Sequence, residues 1–274
     1  MGLRVNTNVL SLTARRNLAG VTDRLSGNFS RLSSGMRITT AADDAAGLGI
    51  SERMRAQIRS LDQAGRNALD GISLVQTAEG ALGETTSNLA RMRELAIQAS
   101  NGTLNTGDRT ALDAEFQALI SEIGRVSTQT DFNGISLLDG TTGDITFQVG
   151  TESGETITVT LADMSDSGLS LNGANFDLTS LTNASAALST IDTAINSVTT
   201  FRGDLGAIQN RLSSAARSIA SNRENLSAAE SRIRDVDVAK ETADLTRNSI
   251  LQQAATSVLA QANTQPQLAL SLIG

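Results

Sequence analysis

Two places in the chain bring carboxylates close enough to act together, Asp43-Asp44 and Asp235-Val236-Asp237. Neighbouring carboxylates can divide acid and base roles or hold a hard cation, but either chemistry needs further groups at fixed spacing. The chain has no His and no Cys, which removes imidazole bases, thiol nucleophiles, soft-metal sites and disulfides together. Gly47-Leu48-Gly49 lacks the third glycine and the preceding strand of a dinucleotide loop. The carboxylates therefore read as structural: Asp43 or Asp44 caps the helical segment that follows, and Glu230 with Arg234 reads as an i,i+4 surface pair. No catalysis, cofactor or metal is expected.

Arginine is the other chemically distinctive residue, used 21 times against a single lysine, Lys240. Codon bias is the simple explanation; some of these Arg also suit contacts between subunits, where a planar, bidentate donor is favoured, and Arg31, Arg37, Arg91, Arg93, Arg232 and Arg234 are the candidates. Net charge is −7, which disfavours nucleic acid as a partner. Its distribution is uneven: residues 1–60 hold nine Arg against four acids, whereas residues 126–201 hold nine acids and neither Lys nor Arg. An all-acidic middle suits a face turned to water, where like charge discourages lateral sticking. No run approaches the roughly 18 to 20 apolar residues of a membrane helix, and the N-terminus has no apolar run of signal-peptide type, so neither membrane insertion nor a cleaved signal is expected.

The elements that must position these residues are long amphipathic segments. Val5, Val9, Leu12, Leu18, Val21, Leu25, Phe29 and Leu32 recur at helical steps over residues 3–34. Leu226, Ala229, Ile233 and Val236, then Leu251, Ala255, Val258 and Ala262, do so over residues 224–273. Trp and Tyr are absent and only six Phe occur, so Leu, Ile, Val and Ala must fill the interior, which suits closely packed helices. A long isolated helix gains most of its stability from packing. These two ends must therefore bury their stripes against each other or against other copies, and are expected to be mobile in a free monomer.

Between the ends, Ser33-Ser34-Gly35 breaks the first helix and a stripe from Ile50 to Leu89 predicts a second over about 44–100. Asn101-Gly102 stops it, and a third helix over about 106–130 returns antiparallel after a short loop. Phe132-Asn133-Gly134 predicts a turn, and alternation at Ile145, Phe147, Val149 and at Ile157, Val159, Leu161 predicts a β-hairpin. Residues 162–180 read as loop, helix resumes near Asn183, and Pro266 should kink or loosen the last helix. The fold class is mainly α: an elongated coiled-coil or helical-bundle rod with antiparallel N- and C-terminal halves and one small β-hairpin region.

Several strings are more specific than any periodicity. Arg31 to Ile38 (RLSSGMRI), Ala41 to Leu48 (AADDAAGL) with Ile50-Ser51, Asn88 to Asn101 (NLARMRELAIQASN), Asp131 to Leu138 (DFNGISLL), Phe147 to Ile157 (FQVGTESGETI) and Ile250 to Leu272 (ILQQAATSVLAQANTQPQLALSL) closely resemble bacterial flagellins. The resemblance spans nearly the whole chain and implies a short, core-only filament subunit for swimming motility. It implies an inner coiled-coil domain from residues 1–42 and 224–274, an outer-tube domain from 43–130 and 183–223, and a β-hairpin and loop insert at 131–182. It also implies export in an unfolded state through the flagellar type III apparatus and polymerisation at the tip of an extracellular filament. The implied partners are other copies of the chain, an export chaperone, a filament cap and hook-filament junction proteins. Subunit packing falls to Val5, Val9, Leu12, Leu25, Leu32, Arg31, Ile233, Val236, Leu251, Val258 and Leu268. In flagellins sensed by the animal Toll-like flagellin receptor, an Arg, a Leu and a Glu form the contact face, and Arg91, Leu95 and Glu115 match them. A junction protein is the nearest rival, but Ala42 and Ala45 stand where its prolines are expected.

Overall fold

The computed structural model describes residues 7–173 and 176–271, with backbone alone for 266–271. Among the described residues the order is α1 (Val9–Ser34), α2 (Ala45–Ala99), α3 (Thr106–Gln129), β1 (Asp131–Phe132), β2 (Ile135–Ser136), β3 (Ile145–Gln148), β4 (Thr156–Val159), α4 (Leu181–Arg234) and α5 (Val238–Ser271). The chain divides into two compact units: the described residues up to Ala56 together with those from Asn225 on, and residues 57–224.

Local signals set the helix ends. Asn8 accepts a hydrogen bond from the Ser11 amide to start α1, and Gly35, with φ of 71°, closes it in the left-handed conformation. Asp44 accepts from the Gly47 amide at 2.9 Å at the start of α2, while Asn105 and Asp108 form a reciprocal capping box on α3. Ser180 accepts from the Asn183 amide at 3.1 Å ahead of α4. The expected continuous helix through Val236 is interrupted: α4 stops at Arg234, and Asp237 accepts from the Ala239 and Lys240 amides to start α5. An apolar repeat that continues in phase across the gap hid this break. Pro266 lies within α5, whose helix continues to Ser271.

The larger unit holds the main core. Leu74, Val75, Ala78, Leu82, Leu89 and Met92 of α2 meet Phe116, Ile120 and Ile123 of α3, and Ala187, Ile191, Ala194, Val198, Leu205 and Leu212 of α4. At Gly71 the packing is tight, since an added Cβ would lie 3.1 Å from Leu212 and 3.3 Å from Phe147. The turn expected at Phe132-Asn133-Gly134 is a two-residue hairpin: Asn133 and Gly134 both take positive φ (53° and 77°), and β1 pairs antiparallel with β2. The predicted larger hairpin is present as β3 and β4, with Ile145 opposite Val159 and Phe147 opposite Ile157 on the inner face. Asn67 on α2 donates to the Gln148 carbonyl at 2.9 Å and holds the hairpin in place.

The segment expected as loop is irregular but not loose. Met164, Leu169, Leu171, Phe176 and Leu178 are all buried in the core. The Phe116 and Phe176 rings lie 5.1 Å apart at 46°, Asp113 accepts from the Leu178 amide at 2.9 Å, and the Met164 amide donates to the Leu138 carbonyl at 2.9 Å. Backbone without a regular ladder is here satisfied by side chains and turns. Phe116 is fully buried, so Phe116→Ala is expected to cost about 3–5 kcal/mol, read as a lower urea midpoint for the unfolding of residues 57–224. A shift under about 1 kcal/mol would mean that α3 is not anchored through this ring.

Candidate assembly surface

The two breaks in the smaller unit face each other. Met36 and Asp235 form an antiparallel bridge, flanked by hydrogen bonds from the Arg37 amide to the Arg234 carbonyl (2.6 Å) and from the Val236 amide to the Gly35 carbonyl (3.0 Å). The Arg37 guanidinium donates to the Ile233 carbonyl at 2.6 Å, and Arg234 donates to the Met36 sulfur and pairs with Glu52. Glu230 reaches Arg55, at 3.9 Å, rather than Arg234, so the expected i,i+4 pair is replaced by two ion pairs between α2 and α4. The Arg234 hydrogen bond also holds the Glu52 carboxyl below its ordinary pKa. Ile38 is buried in this junction, and the packing at Gly47 is close: an added Cβ would lie 2.5 Å from the Asp44 carboxylate and 2.7 Å from the Ile38 side chain, which would have to shift.

The carboxylates considered for acid-base chemistry are consumed here. Asp43 accepts from both the amide and the hydroxyl of Thr39 (3.2 and 2.9 Å) and of Thr40 (2.9 and 3.1 Å), and Arg31 lies 3.3 Å away. Bonds from the Thr40 amide first, then the Thr39 hydroxyl and amide, hold the Asp43 carboxyl far below the usual carboxylate range. Asp44 and Asp237 are caps. Asp235 lends its main chain to the bridge with Met36, and its side chain is exposed.

Beyond the junction α1 packs against α5. The covered positions of α1 are Ser11, Ala14, Leu18, Val21, Leu25, Asn28 and Leu32, and those of α5 are Glu241, Leu245, Asn248, Gln252, Ala255, Leu259 and Ala262. Each set alternates steps of three and four residues, the seven-residue seam of a coiled coil. Four of the α1 stripe residues expected from sequence fall on this seam: Leu18, Val21, Leu25 and Leu32. The others do not. Val9, Leu12, Leu251 and Val258 remain 53%, 59%, 42% and 59% exposed. A groove of about 570 Å³ is bounded by Leu10, Ala14, Val258 and Ala262.

Among the remaining sequence-predicted packing residues, Arg31, Ile233 and Val236 are half-buried near the junction. Val5 lies outside the described residues, as does the side chain of Leu268. Of the arginine candidates, Arg31, Arg37, Arg91, Arg93 and Arg234 are all engaged within the chain, and Arg232 is exposed.

On the larger unit Arg91 is exposed and bridges two acids, Glu115 at 2.8 Å and Glu94 at 2.9 Å, and the bond to Glu115 does most to raise its pKa. Arg93 ties α2 to Asp192 of α4 at 2.7 Å. Leu95 differs from its expected place on an open contact face: it is 1% exposed and belongs to the core, because its position on α2 turns inward with Met92 and Ala96. The free surface here is carried by Arg91 and Glu115.

Residues 5–142 match the family model of the bacterial flagellin N-terminal helical region, and residues 188–273 that of the bacterial flagellin C-terminal helical region. The chain belongs to the bacterial flagellins. It is 50% identical over 269 residues to a flagellin of Halalkalibacterium halodurans, spanning 98% of this chain and 99% of that one. It is 43% identical over 282 residues to a flagellar filament 30.7 kDa core protein of Treponema maltophilum, spanning 98% and 99%. The crystal structure of Bacillus cereus flagellin superposes with a TM-score of 0.52 at 35% identity, covering 60% of this chain and 94% of that one. A flagellar hook-associated protein of Vibrio parahaemolyticus shares the fold alone, with a TM-score of 0.60 at 16% identity over 70% of this chain. As a flagellin the chain is a structural subunit of a homopolymeric filament and not an enzyme.

What sequence reasoning missed in this flagellin is polar: Ser11, Asn28, Glu241 and Asn248 sit on the covered seam. Their signal is their spacing, seven residues between Glu241 and Asn248 in phase with Ala255 and Ala262. The Asp43 turn yields a test. Its carboxylate is favoured by folding, so the turn's contribution is fully present above the free aspartate value of about 3.9 and is lost as pH falls through the lower folded value. In an acid titration followed by amide NMR, the Thr40 signal is expected to hold through about pH 3.9 and move only below it; a midpoint at the free value contradicts the geometry.

Proposed function

We propose that this flagellin is exported unfolded through the flagellar type III apparatus and polymerises at the tip of an extracellular filament that drives swimming. The terminal helices carry the subunit packing. The supporting observation is the uncovered apolar surface of α1 and α5. Nine of the thirteen exposed large apolar side chains among the described residues lie in the smaller unit, Val9, Leu10, Leu12, Phe29, Leu251 and Val258 among them. Leu251 and Val258 are seven residues apart, so α5 presents a second apolar line beside its covered seam. Exposed apolar surface of this extent marks an interaction site. The occupant that fits a homopolymer is another copy of the same helices.

In this reading residues 1–42 and 224–274 form the inner coiled-coil domain, 43–130 and 183–223 the surrounding outer-tube domain, and 131–182 its β-hairpin and loop insert. Val5, Val9, Leu12, Leu25, Leu32, Arg31, Ile233, Val236, Leu251, Val258 and Leu268 pack between or within subunits. An export chaperone covers the C-terminal helix before release, and cap and hook-filament junction proteins receive the subunit. Removal of residues 255–274 deletes Ala255, Leu259 and Ala262 of the α5 seam together with Val258. Electron microscopy under salting-out conditions is expected to show filaments from the full chain and dispersed particles from the truncated one, with helix content of residues 57–224 retained. Normal filaments from the truncated chain would overturn the assignment.

The animal Toll-like flagellin receptor is a further proposed partner of the monomer. Arg91 and Glu115 supply the contact face, while the buried Leu95 shapes the helix pair beneath it. Purified monomer is expected to activate a receptor reporter, and Arg91→Ala to weaken the response by roughly tenfold, as loss of an arginine anchor does. A silent parent chain, or an unchanged Arg91→Ala response, counts against this face.

A further inference from the structure

We infer that a buried polar layer formed by Asn28, Glu241 and Asn248 sets the register in which α1 pairs with α5. The three side chains are 7%, 8% and 8% exposed. Asn28 donates through its amide to the Glu241 carboxylate at 2.6 Å, and Asn248 donates to the Asn28 amide oxygen at 2.7 Å. An ionised carboxylate only accepts, so Glu241 fixes which way the Asn28 amide points, and that in turn fixes what Asn248 must offer. The Arg31 guanidinium stands 4.0 Å from the same carboxylate.

The apolar seam does not do this by itself, and the main-chain bonds of Gly35 with Val236 and Arg37 with Arg234 tie only the junction end, outside the two helices. A seven-residue repeat is degenerate: sliding α5 along α1 by one repeat restores the same alternation of covered positions. Side-chain volume discriminates poorly here, because among the described residues the buried apolar positions of this helix pair are Ala14, Val21 and Ala262, and the seam leucines are only half-buried. A polar layer removes the degeneracy. After a seven-residue slip Asn28 no longer meets both partners, and Glu241 or Asn248 is buried without its hydrogen bond, which is costly whereas the matched arrangement is close to neutral. The second polar contact, Ser11 donating to Asn263 at 2.7 Å, keeps the same antiparallel register near the far end of the pair.

Because the chain contains no cysteine, register can be trapped with engineered pairs. Ser11→Cys with Asn263→Cys reports the register described here, and Ser11→Cys with Thr256→Cys reports a one-repeat slip. Both are treated with a short thiol-specific cross-linker in the dilute full-length chain and after salting out. An intrachain link keeps single-chain mass on a denaturing gel, so the readout does not depend on whether filaments form, and a failure of assembly is scored separately. The parent is expected to favour the first pair by about tenfold, the ratio that a single lost buried hydrogen bond implies.

The near-isosteric Asn28→Asp places two carboxylates face to face and is expected to abolish that preference, whereas Asn28→Asp with Glu241→Gln restores a donor between them and the preference with it. Since size is nearly unchanged throughout, a role in packing alone predicts no change in any of them. The apolar triple variant Asn28→Leu, Glu241→Leu and Asn248→Leu is expected to yield both links at similar rates with helix content retained by circular dichroism. Equal yields from the two pairs in the parent under both conditions, an unaffected Asn28→Asp, a failed rescue, or a triple variant that keeps one register would each overturn the inference.

Discussion

A helix has one circumference, and α1 and α5 divide theirs between a covered seam and an exposed apolar line. The seam that joins them is lined by alanine, serine, asparagine and one carboxylate as well as leucine and valine, so it closes with little large apolar surface inside. Val9, Leu12, Phe29, Leu251 and Val258 are left on the outside for that reason. The hydrophobic effect is non-directional, and a chain that spent its largest side chains on its own pairing would have little left to offer a neighbour. Weak internal packing and exposed apolar surface are thus the same fact seen from two sides.

The larger unit shows the opposite allocation. Its leucines, isoleucines and phenylalanines are turned inward along α2, α3 and α4, and even the irregular stretch after β4 contributes Met164, Leu171 and Phe176 to the interior. Here stability is self-contained. Charged side chains are kept to the surface, where Arg93 with Asp192 and Arg91 with Glu115 join neighbouring helices, although exposed pairs of this kind add little stability. A subunit that combines one self-sufficient unit with one that is under-packed can persist alone and still gain by associating.

How much of this was readable from residues alone differs by element. Helices α2 and α3 and the hairpin β3–β4 were legible to within a residue or two, because long periodic stripes, Asn-Gly turns and strict alternation are local signals. The seam was half legible. Leu18, Val21, Leu25 and Leu32 are both apolar and covered, so hydrophobic periodicity found them, whereas Asn28, Glu241 and Asn248 are covered and polar and periodicity is blind to them. Leu95 illustrates the reverse: a motif located it, but only the packing of α2 against α3 decides that it faces inward. The break at Asp235 was hidden because Ile233 and Val236 keep helical phase across it, and its cause, the pairing with Met36, lies about two hundred positions away in sequence.

That pairing has a mechanical side. Gly35 with Val236 and Arg37 with Arg234 are joined main chain to main chain, by bonds that run crosswise to two antiparallel strands. Tension along either strand therefore loads both bonds at once in shear instead of peeling them open in turn. A clasp built from backbone presents the same bonds to such a load whatever side chains surround it.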